Sequence, residues 1–384
     1  MSDYDNELAQ IVAQLNRAAP GPRPQRTESG QSTATLDQLL AYATRRGASD
    51  VLLIAGAPVM LRVNGALTPV AGPALAAEDA RGLLLPVLGS SRYEELQRHK
   101  SVDLCFTRDG IGRFRGNIHY QRGTLAGSIR LLPEKIPTLE SLHLPNSLRR
   151  LADARQGLIL VTGPTGCGKS STLAALVDLI NMQRRCHIVT IEDPVEYVHA
   201  NRSSVVEQIE VGHDAVDFAG SVRSILRQTP DVILVGEMRD AETMATVLTA
   251  AETGHLVLST LHTNDTAQAI SRILDSFPTG NQPQMRQQLS LALLAIVAQQ
   301  LVPGTGDGAR YPALEILVAT HAVRNLVRKG DDHQIYTAVA TGRAEGMLTM
   351  EQSLAEMVLS GRIARETALA HCNRPEDLRR YLQE

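Results

Sequence analysis

The chain has 384 residues, 43% of them hydrophobic and 21% charged, with 38 Lys plus Arg against 41 Asp plus Glu. That length predicts two or three domains, and the slightly acidic balance argues against a protein that coats nucleic acid. With no Trp, 4 Phe and 8 Tyr, a base-stacking platform for single strands is not expected.

In chain order, Met1-Ser2-Asp3-Tyr4-Asp5 is acidic and lacks the apolar core of a secretory signal. Leu8, Ile11, Val12 and Leu15 recur at helical spacing, and Ala19-Pro20-Gly21-Pro22-Arg23-Pro24 then opens a linker-like stretch. Residues 1–35 are therefore expected to be a flexible extension. Residues 36–132 read as a small α+β domain. Its predicted elements are a helix from Leu36 to about Gly47, strands Val51–Ala55 and Val59–Val63, and helices Ala77–Leu88 and Ser91–His99. Three further strands follow, Val102–Thr107, Gly112–Gln121 and Leu125–Leu132. Residues 133–145, bounded by Pro133 and Pro145, read as a linker or hinge.

Residues 146–384 read as a second domain. Apolar strands Leu158–Thr162, His187–Ile191, Val232–Val235 and Leu256–Leu261 alternate with helices, among them Lys169–Met182, Phe218–Gln228 and Ala241–Ala251. Continuous apolar strands between helices predict a parallel sheet covered on both faces, an α/β architecture. The last hundred or so residues read as mostly helical. The longest apolar run there, Leu291–Ala298, is far short of a membrane span. Cys105, Cys167, Cys186 and Cys372 form no CxxC pair, so neither a zinc site nor a disulfide framework is expected, and reduced thiols are.

Gly163-Pro164-Thr165-Gly166-Cys167-Gly168-Lys169-Ser170 matches the GxxxxGK[ST] pattern, and Ser171 continues it into a helix. Glycines let backbone amides curl around phosphates. The lysine reaches the β- and γ-phosphates, and the Ser170 hydroxyl is a ligand for Mg²⁺. ATP and Mg²⁺ are thus the expected ligands. Ligands of a parallel sheet bind at the carboxyl ends of its strands. Those ends carry Glu192-Asp193, Gly236-Glu237 and His262, all placed to converge on the phosphates. Glu237 has the position of a carboxylate that activates water.

In these residues the chain resembles the type II/IV secretion ATPases and, within them, the pilus retraction motors of the PilT family, over about residues 36–384. The stretches that carry the resemblance are Gly47-Ala48-Ser49-Asp50, Arg113-Phe114-Arg115, the P-loop and Thr190–Tyr197. They continue with Ile233–Asp240 and with Thr253-Gly254-His255 through Thr260-Leu261-His262-Thr263. The resemblance implies a RecA-like P-loop ATPase domain preceded by a PAS-like small domain. It implies an acidic box of Glu192, Asp193 and Glu196 near Mg²⁺ and water, with Asp193 toward the metal. It implies Glu237 as general base, and His255 and His262 as a histidine box that senses the γ-phosphate. Arg113, Arg115 and Arg130 are the small-domain arginines it would bring to the nucleotide.

Ala322-Val323-Arg324-Asn325-Leu326-Val327-Arg328 resembles the signature of the retraction group, as do His333–Tyr336 and Met347–Met350. Assembly and secretion relatives commonly carry a four-cysteine zinc module, absent from this sequence, and Leu52 stands where the family usually has His. The expectation is a cytoplasmic, homohexameric Mg-ATPase. It would work at the inner-membrane base of a pilus machine, with a platform protein and a paralogous ATPase as partners and no nucleic acid. The competing readings are an assembly or secretion ATPase, a P-loop small-molecule kinase, a non-hydrolysing accessory subunit and a nucleic-acid motor.

Overall fold

The structure is a computed structural model that describes residues 35–306 and 308–383. The expected extension, with its short amphipathic helix, lies outside the described residues, apart from Thr35. The chain divides after Glu134 into two compact units.

The first unit opens with α1 (Leu36–Arg45). Thr35 and Gln38 form a reciprocal capping box at its start, which satisfies two amides that the first turn leaves open. Strands β1 (Asp50–Ile54), β2 (Met60–Val63) and β3 (Ala66–Pro69) precede α2 (Ala77–Leu84) and α3 (Ser90–His99). Strands β4 (Ser101–Arg108), β5 (Gly112–Gln121) and β6 (Thr124–Leu132) follow. They form an antiparallel sheet of order β3-β2-β1-β6-β5-β4. One face buries Val51, Leu53, Phe114, Ile118 and Ile129 with the apolar stripe of α1. Helix α2 packs so closely on this face that a Cβ on Gly127 of β6 would lie 2.5 Å from Leu84. The other face, set by the alternation of side chains along a strand, is mixed, with charged groups beside Leu52, Ile54 and Met60. There the register sets Asp50 opposite both Arg62 and Arg130, and Arg115 opposite Arg130. Strand β3 was not expected from the sequence. All four of its residues are exposed, so no alternation marks it.

The second unit begins at Lys135. Leu139 and Leu144, in the stretch read as a hinge, are buried in its core beside Leu148, so that stretch from Lys135 onward is packed chain. After the short α4 (Arg149–Ala152) come β7 (Gly157–Thr162), α5 (Lys169–Gln183), β8 (His187–Glu192) and β9 (Val205–Glu210). Then follow α6 (Phe218–Ile225), β10 (Val232–Val235), α7 (Ala241–Glu252), β11 (Leu256–Leu261), α8 (Thr266–Asp275) and α9 (Gln282–Ala292). The chain continues through β12 (Leu293–Pro303), β13 (Arg310–Val318), α10 (His321–Lys329) and α11 (Ile335–Thr341). It closes with α12 (Met350–Leu359), α13 (Arg365–His371) and α14 (Pro375–Tyr381).

The sheet order is β13-β12-β7-β11-β10-β8-β9, and every pairing except β12–β13 is parallel. Strand β7 is an interior strand, between β12 and β11. Leu158 and Leu160 enter the core beneath α6 to α9, whereas Ile159 and Val161 enter the core beneath α5. Burial on both faces gives its unbroken apolar run.

The expectation of a mostly helical final hundred residues fails for β12 and β13, whose 11 and 9 residues complete the sheet. The run Leu293–Ala298 is apolar on both faces, so it has neither the alternation of a half-buried strand nor a helical period. Among the described residues no helix is long and apolar enough to cross a membrane.

Candidate functional site

The site is built on the turn between β7 and α5. Gly163, Gly166 and Gly168 take φ of 143°, 79° and 92°, values that a side chain with a Cβ rarely adopts. A Cβ on Gly163 would lie 2.1 Å from the Gln299 carbonyl oxygen and 2.7 Å from Cys167 Sγ. No side chain caps the start of α5, so its first amides stay available to an anion.

The Lys169 amine donates to the carbonyls of Gly163 at 2.8 Å and Pro164 at 3.0 Å. Burial lowers its pKa, and the neighbouring Cys167, Glu237 and Glu196 work the other way. The Cys167 thiol is buried, and burial pushes its pKa up. It is a loop-filling thiol rather than an activated one. Thr165 and Ser170 are exposed, and Ser171 shares a 2.8 Å hydrogen bond with Tyr197.

Three neighbouring strand ends lie at the same edge of the sheet. Strand β8 ends at Glu192, which accepts from Thr190 Oγ1 at 2.7 Å and Gln208 Nε2 at 3.1 Å. Burial raises its pKa despite these two donors. Asp193 is exposed and Glu196 half-buried. Strand β10 delivers Glu237 through a turn that β11 holds in place. Ser259 Oγ donates to the Val235 carbonyl at 2.7 Å, and Thr260 Oγ1 donates to that of Gly236 at 2.6 Å. Glu237 pairs with Arg239 and lies 3.5 Å from His262 Nε2. The Glu237 bond raises the Arg239 pKa, with Asp193 adding to it. Lys169, Glu196, Glu237, Arg239, Asp193 and His262 thus belong to one electrostatic neighbourhood.

His255 does not. It precedes β11, where Leu256 pairs with Gly157 at the amino end of β7. The six residues of β11 separate it from His262, a span of roughly 23 Å. Its Nδ1 contacts the Ala250 carbonyl at 3.0 Å, where it closes the end of α7. The histidine box is therefore split between the two ends of the sheet, and within its own unit His255 cannot touch a phosphate held by the loop.

Arg113 and Arg115 lie half-buried on β5 of the first unit. Arg130, on β6, donates to Asp50 at 2.9 Å. Leu52 lies on β1, opposite Met60 and Ser128. The signature Ala322–Arg328 forms α10. There the Arg324 guanidinium donates to the carbonyls of Ala319, Ser290 and Leu291, binding the end of α9 to the start of α10.

Sequence reasoning missed Arg239 and Gln208 as supports of the acidic groups and Tyr197 as the partner of Ser171, and it missed Gln299. Gln299 is a buried polar residue on an interior strand, the one signal that could have marked it. A reading of the last hundred or so residues as mostly helical, with no strand at β12, hides that signal.

Among the described residues no cluster of three or more His, Cys, Asp or Glu could hold a metal unaided; the oxygen donors beside the loop are the Ser170 hydroxyl and the Asp193 carboxylate. These suit Mg²⁺, which takes one or two protein oxygens and completes its shell with phosphates and water. Two buried hydroxyls, Thr162 at the end of β7 and Thr263 just past β11, have no hydrogen-bond partner. The floor of the site thus retains unused hydrogen-bonding capacity.

The family model of "Type II/IV secretion system protein" matches residues 140–374. The chain is 41% identical over 342 residues to the "Type IV pilus retractation ATPase PilT" of Pseudomonas aeruginosa, covering 89% of this chain and 99% of that one. It is 39% identical to the "Type IV pilus ATPase PilU" of the same organism, covering 89% and 90%. The crystal structure of the pilus retraction motor PilT with bound ADP superimposes with a TM-score of 0.84 at 43% identity, covering 90% of this chain and 99% of that one. The Legionella pneumophila ATPase DotB follows at 0.76 and 28%, covering 87% and 94%. Matches of this length and identity, over a chain with an intact P-loop and acidic strand ends, place it: it belongs to the type II/IV secretion ATPases, in the pilus retraction family of PilT.

Proposed function

We propose that the protein is an ATP-hydrolysing motor that powers type IV pilus retraction, with a RecA-like second unit and a PAS-like first unit. The observation that carries the reading is the convergence of Lys169, Glu196 and Glu237 at one end of the parallel sheet. A P-loop alone would bind nucleotide; a carboxylate beside it can also activate water.

The loop amides and Lys169 hold the phosphates. Ser170, with Asp193, would hold Mg²⁺, which would neutralise charge on the phosphate oxygens. Glu237 takes the proton from the attacking water, while Arg239 and His262 fix the carboxylate. Glu192 and Glu196 orient that water. Arg113, Arg115 and Arg130 are the unranked candidates for the small-domain arginine that would reach nucleotide. Arrival of an arginine only on closure would couple shape to hydrolysis.

The working form is a homohexamer on the cytoplasmic side of the inner membrane, acting through a membrane platform protein and alongside a paralogous pilus ATPase. The similarity to both PilT and PilU supports the last point. The test is ATP turnover against protein concentration, with mass measured in parallel. Specific activity should rise with assembly to about six subunits. Full activity from a monomer would overturn the ring motor and favour a kinase. ATP binding without turnover at any concentration would favour an accessory subunit.

A further inference from the structure

Gln299 sits on β12, directly beside the P-loop, and is buried. Its Nε2 donates to the Cys167 carbonyl at 2.6 Å, and its Oε1 accepts from Thr172 Oγ1 at 2.8 Å. The orientation of the amide follows from chemistry: a carbonyl only accepts, so the NH₂ must face Cys167. The same residue lies against two loop glycines. Its backbone oxygen occupies the space a Cβ would need on Gly163, and its Nε2 lies 3.0 Å from where a Cβ on Gly168 would be. One side chain therefore holds both the middle of the loop and the first turn of α5. Strand β12 is itself fixed on both sides, by β7 and β13.

We propose that Gln299 is a positioning residue that holds the P-loop in its phosphate-binding shape by tying Cys167 and Thr172 to β12. The proposal rests on the reading of this loop as an ATP site. Without the strut, the loop must be ordered by nucleotide at the moment of binding, which weakens binding. The residue touches the loop from behind, so it acts through the loop and not on the reacting atoms.

The test measures ADP affinity and ATP kinetics for the full chain with Gln299→Met, which keeps the length and loses both hydrogen bonds. Thr172→Val and the double variant complete a cycle, and Lys169→Ala is the reference. Gln299→Met should weaken ADP binding about tenfold or more, with KM for ATP rising in step and kcat changing less. Thr172→Val should weaken binding by a smaller factor. The double variant should lose less than the product of the two single losses, because both remove one strut. ADP affinity within about twofold of the native chain for Gln299→Met, or losses that simply multiply, would overturn the proposal. If Gln299→Met fails to fold, undiminished ADP affinity in Thr172→Val overturns it instead. Native ADP affinity in Lys169→Ala would mark a different failure, that of the ATP-site reading itself, and the proposal would fall with it.

Discussion

Gly163→Ala tests the geometry of the loop most directly. The new methyl would lie 2.1 Å from the Gln299 carbonyl oxygen, about 1 Å inside a tolerable contact. Strand β12 cannot yield easily, because Gln299 pairs with Leu314 on one side and its neighbour Ala298 pairs with Thr162 on the other. The loop must move instead, by roughly 1 Å, a displacement that can cost about a hundredfold where phosphate is gripped. Overpacking adds a loss of about 1–3 kcal/mol in folding stability. Gly166→Ala is the control. Its methyl meets nothing within 4 Å, so only the φ of 79° opposes it, at about 1–2 kcal/mol. Urea denaturation and ADP titration measure both effects. Gly163→Ala should lose ADP affinity by about two orders of magnitude and be the less stable of the two. ADP affinity within about threefold of native would refute the claim that Gly163 fixes the loop against β12.

Glu237→Gln should lower kcat about 10²- to 10⁴-fold while ADP still binds at neutral pH, measured by phosphate release and titration. Turnover within about threefold of native would reject Glu237 as the base. His255→Ala should leave ADP affinity within about twofold of native, because the residue sits at the far end of β11, and a larger loss would contradict that placement. Glu315 supplies a pH test of the fold. It is buried on β13, accepts from both Thr266 N and Oγ1, and burial raises its pKa above 4.5. The folded chain thus holds this proton to higher pH than the unfolded chain does. The contribution to stability is full below about 4.5 and is lost as pH rises through the folded pKa. Glu315→Gln removes that loss, so its stability relative to native should climb with pH in urea titrations, and a flat difference would contradict the burial effect.

What the sequence made legible follows from where its signals are local. The P-loop is a contiguous pattern. Glu192, Glu237 and His262 each end an apolar run, so they could be placed at one edge of the sheet before any coordinates. His255 misled because its family label carries no end of the strand; the pairing of Leu256 with Gly157 decides it. Strands β12 and β13 escaped because burial on both faces erases the period that distinguishes strand from helix. Gln299 escaped with them. Its partners Cys167 and Thr172 are 132 and 127 residues away in sequence, a contact no local pattern encodes. Arg239 was visible in the motif, but its pairing with Glu237 depends on a turn held by Ser259 and Thr260, side chains of a different strand.

The acids of the site have a second effect that the loop lysine makes measurable. Lys169 is desolvated, which favours its neutral form, and the charges of Glu237 and Glu196 restore the cationic one. Its amine donates to two neutral carbonyls, those of Gly163 and Pro164. A phosphate offers anionic oxygens instead, so exchanging partners strengthens the bond only while the amine stays charged. Glu237→Gln removes one of the two carboxylates that support that charge. The Lys169 pKa, already below 10.5, must then fall further. Nucleotide affinity is lost as pH rises through the lysine pKa, so it should decline at lower pH in Glu237→Gln than in the native chain. Glu196→Gln should do the same by a smaller amount, since Glu237 is the larger influence. Calorimetric titration of ADP from about pH 7 to pH 10 resolves the two profiles. Superimposed profiles would mean that the carboxylates serve hydrolysis alone and that the loop lysine keeps its charge without them.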